Sequence, residues 1–552
     1  MQTSAGGGLA GSATSDLAPR PAAGIARGAA LVAGLTLLSR LFGLIRTLVF
    51  SQTVGASCLG SAYVTANQVP NLVYELVLGG ALTSAMIPVL ARSAERAASD
   101  PAERAHVGQI SSALLTWSVV ILVPLTLIIA AAAGPIASLL NPANANSHCV
   151  RADVVNATGH MLEVFAPQVV LYGLSVVLYG LLQAYRRFAG PAIGPAISSL
   201  VVIAACLAFV PLGKGLPLSR LPLAAELVLS AGTTLGIAAL VAVGVVPAWR
   251  LHLRFRPALR FPPGVARRAG GLALVGVVEL VVIDLSSVVA IALANGRGST
   301  GAIVLFNYAS QVFSSVAAVL AISVVISAFP VLSARDGPTF DQTCAGSTRA
   351  VLLLSWLGTA VMAAVAIPAA HVLARQPDQV GELLAAFALF APGIAGTAVI
   401  TNLSRVMFAI GRLKVAAASL AGSWMLVMAA DVVLAELAPP RLVVAALAAG
   451  NTIGQTVAAI PTVIATRRIC GRVALQGVGH ATLAGLAAGT VSTAVGVTVC
   501  LAAPVSGKLP AAGLAVVAAS CAVIAFGLVA YVLDHGDLKT VLAWLWRVRP
   551  RR

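Results

Sequence analysis

Residues 28–52 read GAALVAGLTLLSRLFGLIRTLVFSQ, an apolar run of bilayer-crossing length that contains two arginines. About 20 mostly apolar residues are needed to span the hydrocarbon core of a membrane. A charged side chain at that depth costs about 2.5–3.5 kcal/mol or more, and it normally faces a cavity. This stretch therefore predicts a membrane-spanning helix in which Arg40 and Arg46 have a functional role.

The rest of the chain repeats this apolar pattern. Of its 552 residues, 59% are hydrophobic and only 10% are charged, whereas soluble domains carry about 25% charge. A soluble enzyme is therefore excluded. The net charge of +17 does not indicate nucleic-acid binding, because the basic residues lie singly or in small groups between long apolar runs and do not cluster on a polar background. We expect an all-α polytopic membrane protein with about fourteen transmembrane helices: 28–52, 61–89, 109–133, 162–185, 190–211, 224–248, 269–295, 301–332, 350–374, 380–410, 415–437, 441–466, 477–503 and 509–533.

The distribution of lysine and arginine predicts the orientation. With the N-terminus in the cytoplasm, 25 of the 35 basic residues fall in inner segments, seven in outer loops and three within spans. This bias fits the positive-inside rule. We therefore expect a multi-pass protein of the bacterial plasma membrane with both termini cytoplasmic.

A basic inner loop at 249–268 separates six spans from eight. Its position predicts two six-helix halves followed by two extra helices, in the order of parallel repeats found in transporters. The predicted segments are a disordered cytoplasmic tail (1–27), an N-lobe (28–248), the basic linker (249–268), a C-lobe (269–466), two C-terminal helices (477–533) and a basic cytoplasmic tail (534–552).

Few ionisable residues occur within the spans. Arg40 and Arg46 lie about 120° apart on one helix with Gly43 between them, and arginine is suited to bidentate capture of phosphate. Glu75 lies at about the depth of Arg40, so it forms either an ion pair with it or part of a gate. Asp284 and Asp431 are candidates for a coupling cation or proton transfer, for salt bridges between the halves, or for a structural role.

The cysteines and histidines give no indication of a cofactor. The seven cysteines are scattered singly, without metal-ligand or redox spacing, and most are expected to behave as small hydrophobes. No cofactor is expected, and a metal remains an open question.

Two motifs resemble the MurJ/MviN lipid II flippase family of the multidrug/oligosaccharidyl-lipid/polysaccharide exporter superfamily. The first is SRLFGLIR (39–46), which is similar to the family's S-R-x-x-G-x-x-R motif. The second is PNLVYELVLGGALTSAMIPVLA (70–91), with its P-N, G-A and later proline. Weaker similarity lies around 182–195 and 405–414.

The resemblance implies a fold of two six-helix lobes around a central cavity, with the two C-terminal helices forming a groove for a polyprenyl tail. It implies flipping of undecaprenyl-diphosphate-linked peptidoglycan precursor, with Arg40 and Arg46 binding the diphosphate and Ser39 and Asn71 nearby. The expected partners are a lipid-linked glycan, the membrane and cell-wall synthesis proteins, with monovalent-cation or membrane-potential coupling.

The chain departs from the family pattern at three places, one of them in the second span, where Ser61, Gln68, Tyr74 and Glu75 stand in place of an aspartate and basic residues that are frequent in the family. Thr47 stands where an aspartate often follows the second arginine, and Ser310 and Gln311 stand where the family has Asp-Arg. The alternatives therefore stay open: a flippase for another lipid-linked glycan, a cation-coupled drug exporter of the same superfamily, or a non-transporting scaffold for cell-wall assembly. A polyprenyl-dependent glycosyltransferase is disfavoured, because no large outer loop carries catalytic carboxylates.

Overall fold

The structure, a computed structural model, describes residues 21–76, 100–185, 187–251, 256–259, 265–322, 332, 338–503 and 507–539. Its α-helices are α1 Pro21–Thr53, α2 Cys58–Leu76, α3 Pro101–Ala131, α4 Ala133–Leu140, α5 Arg151–Phe165, α6 Gln168–Ala184, α7 Ala189–Gly213, α8 Leu223–Trp249, α9 Val265–Arg297, α10 Ala302–Ala317, α11 Pro338–Ala364, α12 Ala366–Leu373, α13 Pro377–Phe390, α14 Gly393–Ala409, α15 Leu413–Leu437, α16 Val443–Cys470, α17 Val478–Ala502 and α18 Lys508–Leu533.

The described helices confirm the all-α membrane fold. They form thirteen segments that are long and apolar enough to cross a membrane, and some of these segments consist of two consecutive helices. Each segment coincides with one of the predicted spans. The remaining predicted span begins as α2, and its second part, 77–89, lies outside the described residues. Long helices are the expected result, since a backbone in lipid must satisfy all its hydrogen bonds within the segment.

Neighbouring helices pack mainly within two groups. In the N-terminal half, α8 packs against α5, α6 and α7, and in the C-terminal half α16 packs against α13, α14 and α15. Glycine permits the close approach, because a Cβ on Gly454 would collide with the backbone nitrogen of Val427 on α15. The last two helices, α17 and α18, pack on each other and on α11.

The ends of the predicted segments differ from the helix bounds. Helix α1 already begins at Pro21, inside the segment predicted as a disordered tail, and α9 begins at Val265, inside the predicted linker. The linker segment 256–259 lies against α3, where the indole N–H of Trp117 donates to the carbonyl oxygen of Leu259 at 3.0 Å. Residues 1–20 and 540–552 of the predicted tails lie outside the described residues.

Candidate substrate cavity

Four central helices surround a cleft that is closed at one end and open at the other. At the closed end, where α1 and α9 finish and α2 and α10 begin, the side chains are mostly buried. Away from that end burial decreases sharply: no residue is buried over 34–45 of α1 or 278–285 of α9, and only Pro70 is buried over 67–76 of α2. Among the described residues of α1, α2 and α9, the tightly packed part therefore lies at the closed end.

A small cavity lies at the bottom of this cleft, between the halves. Its volume is about 70 Å³, which is well below the 300–1,000 Å³ of a typical ligand pocket. It is therefore the narrow end of the cleft, and a larger ligand would extend from it towards the open end. Its lining residues are Arg46, Thr47, Phe50, Tyr63, Val64, Asn67, Gln68, Val202, Asn307, Tyr308 and Gln311.

The two predicted arginines have different surroundings. Arg46 lines the cavity and is half-buried, whereas Arg40 and Ser39 are not among its lining residues. Arg40 is exposed, six residues or about one and two-thirds turns nearer the open end. Neither guanidinium has an ion-pair or hydrogen-bond partner within the described part of the chain. Arg46 thus lies at the bottom of the cleft without a counter-charge among the described residues, and Arg40 is exposed further along α1.

Asn71 belongs to a chain of polar contacts inside the N-terminal half. The Tyr172 hydroxyl donates to its Oδ1 at 2.9 Å, and its own amide lies 3.4 Å from Oε1 of Gln68. The ring of Tyr172 also lies 4.4 Å from that of Tyr74. Asn71 therefore positions Gln68, which lines the cavity, and does not line it itself. Glu75 is exposed and forms no ion pair among the described residues, so the predicted pair with Arg40 is not formed in this conformation.

Two departures from the family pattern contact each other across the cleft. The Thr47 hydroxyl lies 2.8 Å from Oε1 of Gln311 and 3.1 Å from the carbonyl oxygen of Gly43. Thr47 is on α1 and Gln311 on α10, so this contact joins the two halves beside Arg46. The two halves are thus joined here by a neutral contact.

A second cavity of about 130 Å³ adjoins the first on the side of the C-terminal half. Asp431 of α15 and Asn451 of α16 both line it, and each has a buried Oδ1 without a hydrogen-bond partner among the described residues. Asp284 also has a buried Oδ1 without a hydrogen-bond partner among the described residues, but it does not line this cavity. Of the two predicted carboxylates, only Asp431 therefore lies in the cavity wall. Among the described residues, no cluster of three or more His, Cys, Asp or Glu side chains is suited to a metal.

The other intramembrane charges lie within the C-terminal half. The Glu279 carboxylate of α9 and the Arg405 guanidinium of α14 are within electrostatic range of each other. Because this arginine has a carboxylate nearby, it is less suited to capture an anion than Arg46.

The closed end is held by hydrogen bonds between the halves, which we call the seal. The Asn144 amide donates to the carbonyl oxygens of Asn295 at 2.7 Å and Gly298 at 2.9 Å. The Asn295 amide donates to the Thr65 hydroxyl and the Leu140 carbonyl oxygen, both at 2.9 Å. Further bonds of the same kind run from Gln379 to Ala56, from Arg375 to Thr53 and from Gln52 to Val372. Composition and periodicity gave no signal for these partners, because each bond joins residues far apart in sequence.

A disulfide between Cys58 and Cys149 holds the loop that carries Asn144. This corrects the expectation that the cysteines are isolated. The two cysteines are 91 residues apart, and only the packing of α2 against α5 brings them together. The bond places residues 141–149, a principal part of the seal, at a fixed position on the N-terminal half.

Comparison with known proteins identifies the relatives of this arrangement. The family model described as lipid II flippase MurJ matches residues 50–508. A probable lipid II flippase MurJ of Synechocystis sp. is 29% identical over 245 residues, 43% of each chain. One of Rhizobium tropici is 27% identical over 306 residues, covering 55% of this chain and 54% of the relative. Each match thus spans about half of the relative's length.

Two solved structures have a similar fold. A lipid II flippase MurJ in an inward closed conformation superposes with a TM-score of 0.69 at 15% identity, covering 91% of this chain and 98% of the other. An inward-facing multidrug transporter of the MATE family superposes with a TM-score of 0.64 at 13% identity, covering 81% and 98%. At such identities the likeness establishes the fold.

Proposed function

Because this chain belongs to the lipid II flippase MurJ family, we propose that it moves lipid II from the inner to the outer leaflet by alternating access. Lipid II is the undecaprenyl-diphosphate-linked peptidoglycan precursor. A member of this family is a membrane transporter, not an enzyme. The observation that carries the proposal is the position of Arg46, a guanidinium without an anionic partner among the described residues, at the bottom of a cleft that is sealed at one end.

In the proposed cycle, the open end faces the cytoplasm and receives the head group. Two features support this orientation. Basic residues concentrate in the segments predicted to be inner. The Cys58–Cys149 disulfide lies at the closed end, and disulfides persist in oxidising compartments such as the bacterial cell surface. Both termini would then be cytoplasmic.

The diphosphate would bind Arg46, with Arg40 attracting it on the open side. An arginine can form two parallel charge-assisted hydrogen bonds with a phosphate, and each is stronger than a hydrogen bond between neutral groups. The undecaprenyl tail would stay in lipid beside the cleft, along the groove that the resemblance assigns to α17 and α18. Opening to the outer side requires the seal to break and the halves to close at the opposite end.

The test is complementation of a flippase-depleted strain. We expect Arg46→Ala to abolish growth while the protein remains in the membrane, and lipid II to accumulate on the inner face after depletion. The control for loss of an intramembrane arginine is Arg405→Ala combined with Glu279→Gln, since Arg405 does not line the cavity and the second change avoids leaving the nearby carboxylate alone. Normal growth with both Arg40 and Arg46 replaced by alanine would contradict the diphosphate role.

One observation favours a second candidate, a flippase for another lipid-linked glycan. The neutral Thr47–Gln311 contact lies beside Arg46, so the cavity there presents a hydroxyl and an amide to a head group. Vesicles containing the purified protein and a panel of lipid-linked sugars distinguish the two candidates by which sugar changes leaflet. A cationic drug is disfavoured as the substrate, because Arg46 would repel it.

We also propose Asp431 as a coupling residue. Its buried Oδ1 lacks a partner among the described residues, and Asn451 supplies a second oxygen in the same cavity. Oxygen ligands of this type suit a monovalent cation or a proton. Asp431→Asn should remove the dependence of transport on the ion gradient, whereas Asp378→Asn, an exposed carboxylate on α13, should not. Unchanged ion dependence in Asp431→Asn would exclude this role.

A further inference from the structure

A large groove lies on the outside of the C-terminal half, away from the central cleft. It has a volume of about 650 Å³, and its lining residues come from α15 and α16 alone. Asp431 and Trp424 line the second cavity with other residues of α15, so this helix separates that cavity from the groove. The size is that of a ligand pocket, although no residue of the proposed transport site lines it.

Small side chains form the floor of the groove. Ala418 and Gly422 on α15 lie opposite Pro461 and Ala465 on α16. A Cβ on Gly422 would meet no atom within 4 Å, so the space above this glycine is empty. From Lys414 to Met425 the groove follows α15 for roughly 16 Å, which is about half of the ~30 Å hydrocarbon core. Its length therefore matches one leaflet.

One end of the groove is strongly basic. Lys414 lines it, Arg412 precedes α15, and Arg467 and Arg468 lie in the last turn of α16. All four side chains are exposed, and none has an ion-pair or hydrogen-bond partner among the described residues. No carboxylate lines the groove. At the other end the lining is apolar, with Met425 52% exposed and Leu426 40% exposed.

We propose that this groove binds an anionic phospholipid, with one acyl chain between α15 and α16 and the phosphate at Lys414. The basic end lies among the segments predicted to face the cytoplasm, where the leaflet is anionic. Basic pockets between transmembrane helices on this side are suited to anionic head groups. The proposal does not depend on the transported substrate, because the groove and the cleft share no lining residue.

The test uses the full-length protein in phosphatidylcholine nanodiscs, with trace phosphatidylglycerol that carries a photoreactive group in one acyl chain. After illumination, labelled peptides are mapped by mass spectrometry. We expect labelling of the α15 and α16 segments that line the groove, and several-fold less with a phosphatidylcholine probe. Lys414→Gln and Arg412→Gln together should weaken labelling by roughly 10- to 30-fold, since each basic residue near the surface strengthens binding by about fivefold.

Gly422→Leu should abolish the labelling by filling the groove. Gly527→Leu on α18 is the matched control, because a Cβ there also meets no atom within 4 Å, and its labelling should equal that of the native protein. Equal labelling by phosphatidylcholine, or labelling that survives Gly422→Leu, would overturn the proposal. Labelling by a photoreactive polyprenyl phosphate in place of phosphatidylglycerol would also overturn it, because the occupant would then be a polyprenyl lipid.

Discussion

Replacing Asn144 by alanine should open the closed end of the cleft. The Asn144 amide makes two hydrogen bonds to the opposite half, to Asn295 and Gly298. A hydrogen bond contributes about 0.5–1.5 kcal/mol net, so the variant should lose about 2 kcal/mol of preference for the sealed conformation. That shift corresponds to a roughly 30-fold larger population of the unsealed state.

Accessibility of a reporter cysteine measures this population. The five free cysteines, Cys206, Cys344, Cys470, Cys500 and Cys521, are replaced by alanine, and Asn307→Cys is introduced where both cavities meet. A membrane-impermeant maleimide added to intact cells should label this cysteine roughly 30-fold faster in Asn144→Ala. Asn146→Ala is the control, because its exposed side chain in the same loop makes no hydrogen bond to the other half among the described residues. Equal labelling rates in the native protein and in Asn144→Ala would refute the assignment of the seal.

Three further perturbations test other parts of the structure. Replacing Cys58 and Cys149 by serine should lower the free energy of unfolding by about 2–5 kcal/mol, measured as a lower Tm in detergent; a reductant should reproduce the loss in the native protein and leave the variant unchanged. Arg349→Met should destabilise the protein by about 2 kcal/mol. Arg349 donates to both carboxylate oxygens of Asp537, at 2.9 and 2.7 Å. Burial already raises the pKa of the Asp537 carboxyl despite the arginine, so removing the arginine leaves a buried carboxylate without its partner. Adding Asp537→Asn should restore most of the Tm, and a double variant no more stable than Arg349→Met would exclude a stranded carboxylate. Gln311→Ala should speed conversion between conformations by removing the contact with Thr47. The conversion rate is measured by single-molecule fluorescence energy transfer between dyes on the two halves, and an unchanged rate would show that the contact does not hold the halves together.

The spans were predictable because crossing a bilayer imposes a length and a composition that any apolar run reveals. The position of Arg46 beside a cavity could be predicted for a related reason, since a guanidinium at that depth normally faces a cavity. The same argument placed Arg40 in the cavity, yet Arg40 is exposed nearer the open end. Hydropathy measures depth along a helix, but it does not report how far the two halves separate at that depth.

The contacts between distant segments could not be predicted from one sequence. Thr47 and Gln311 are 264 residues apart, and the disulfide joins cysteines that show no spacing motif. Such pairs depend on how the halves pack, which no local pattern encodes. Asp284 and Asp431 show the same limit, because both looked equivalent as carboxylates within spans, and only Asp431 lines the second cavity.

The central claim is that Arg46 binds the diphosphate of a lipid-linked glycan during its movement between leaflets. The most direct measurement is transfer of fluorescent lipid II across the membrane of vesicles that contain the purified protein. Loss of a hydrogen bond to a charged group costs about 1.5–3 kcal/mol, so Arg46→Ala should slow transfer at limiting substrate by at least tenfold, with partial recovery in Arg46→Lys. Transfer at the native rate by Arg46→Ala would contradict the account.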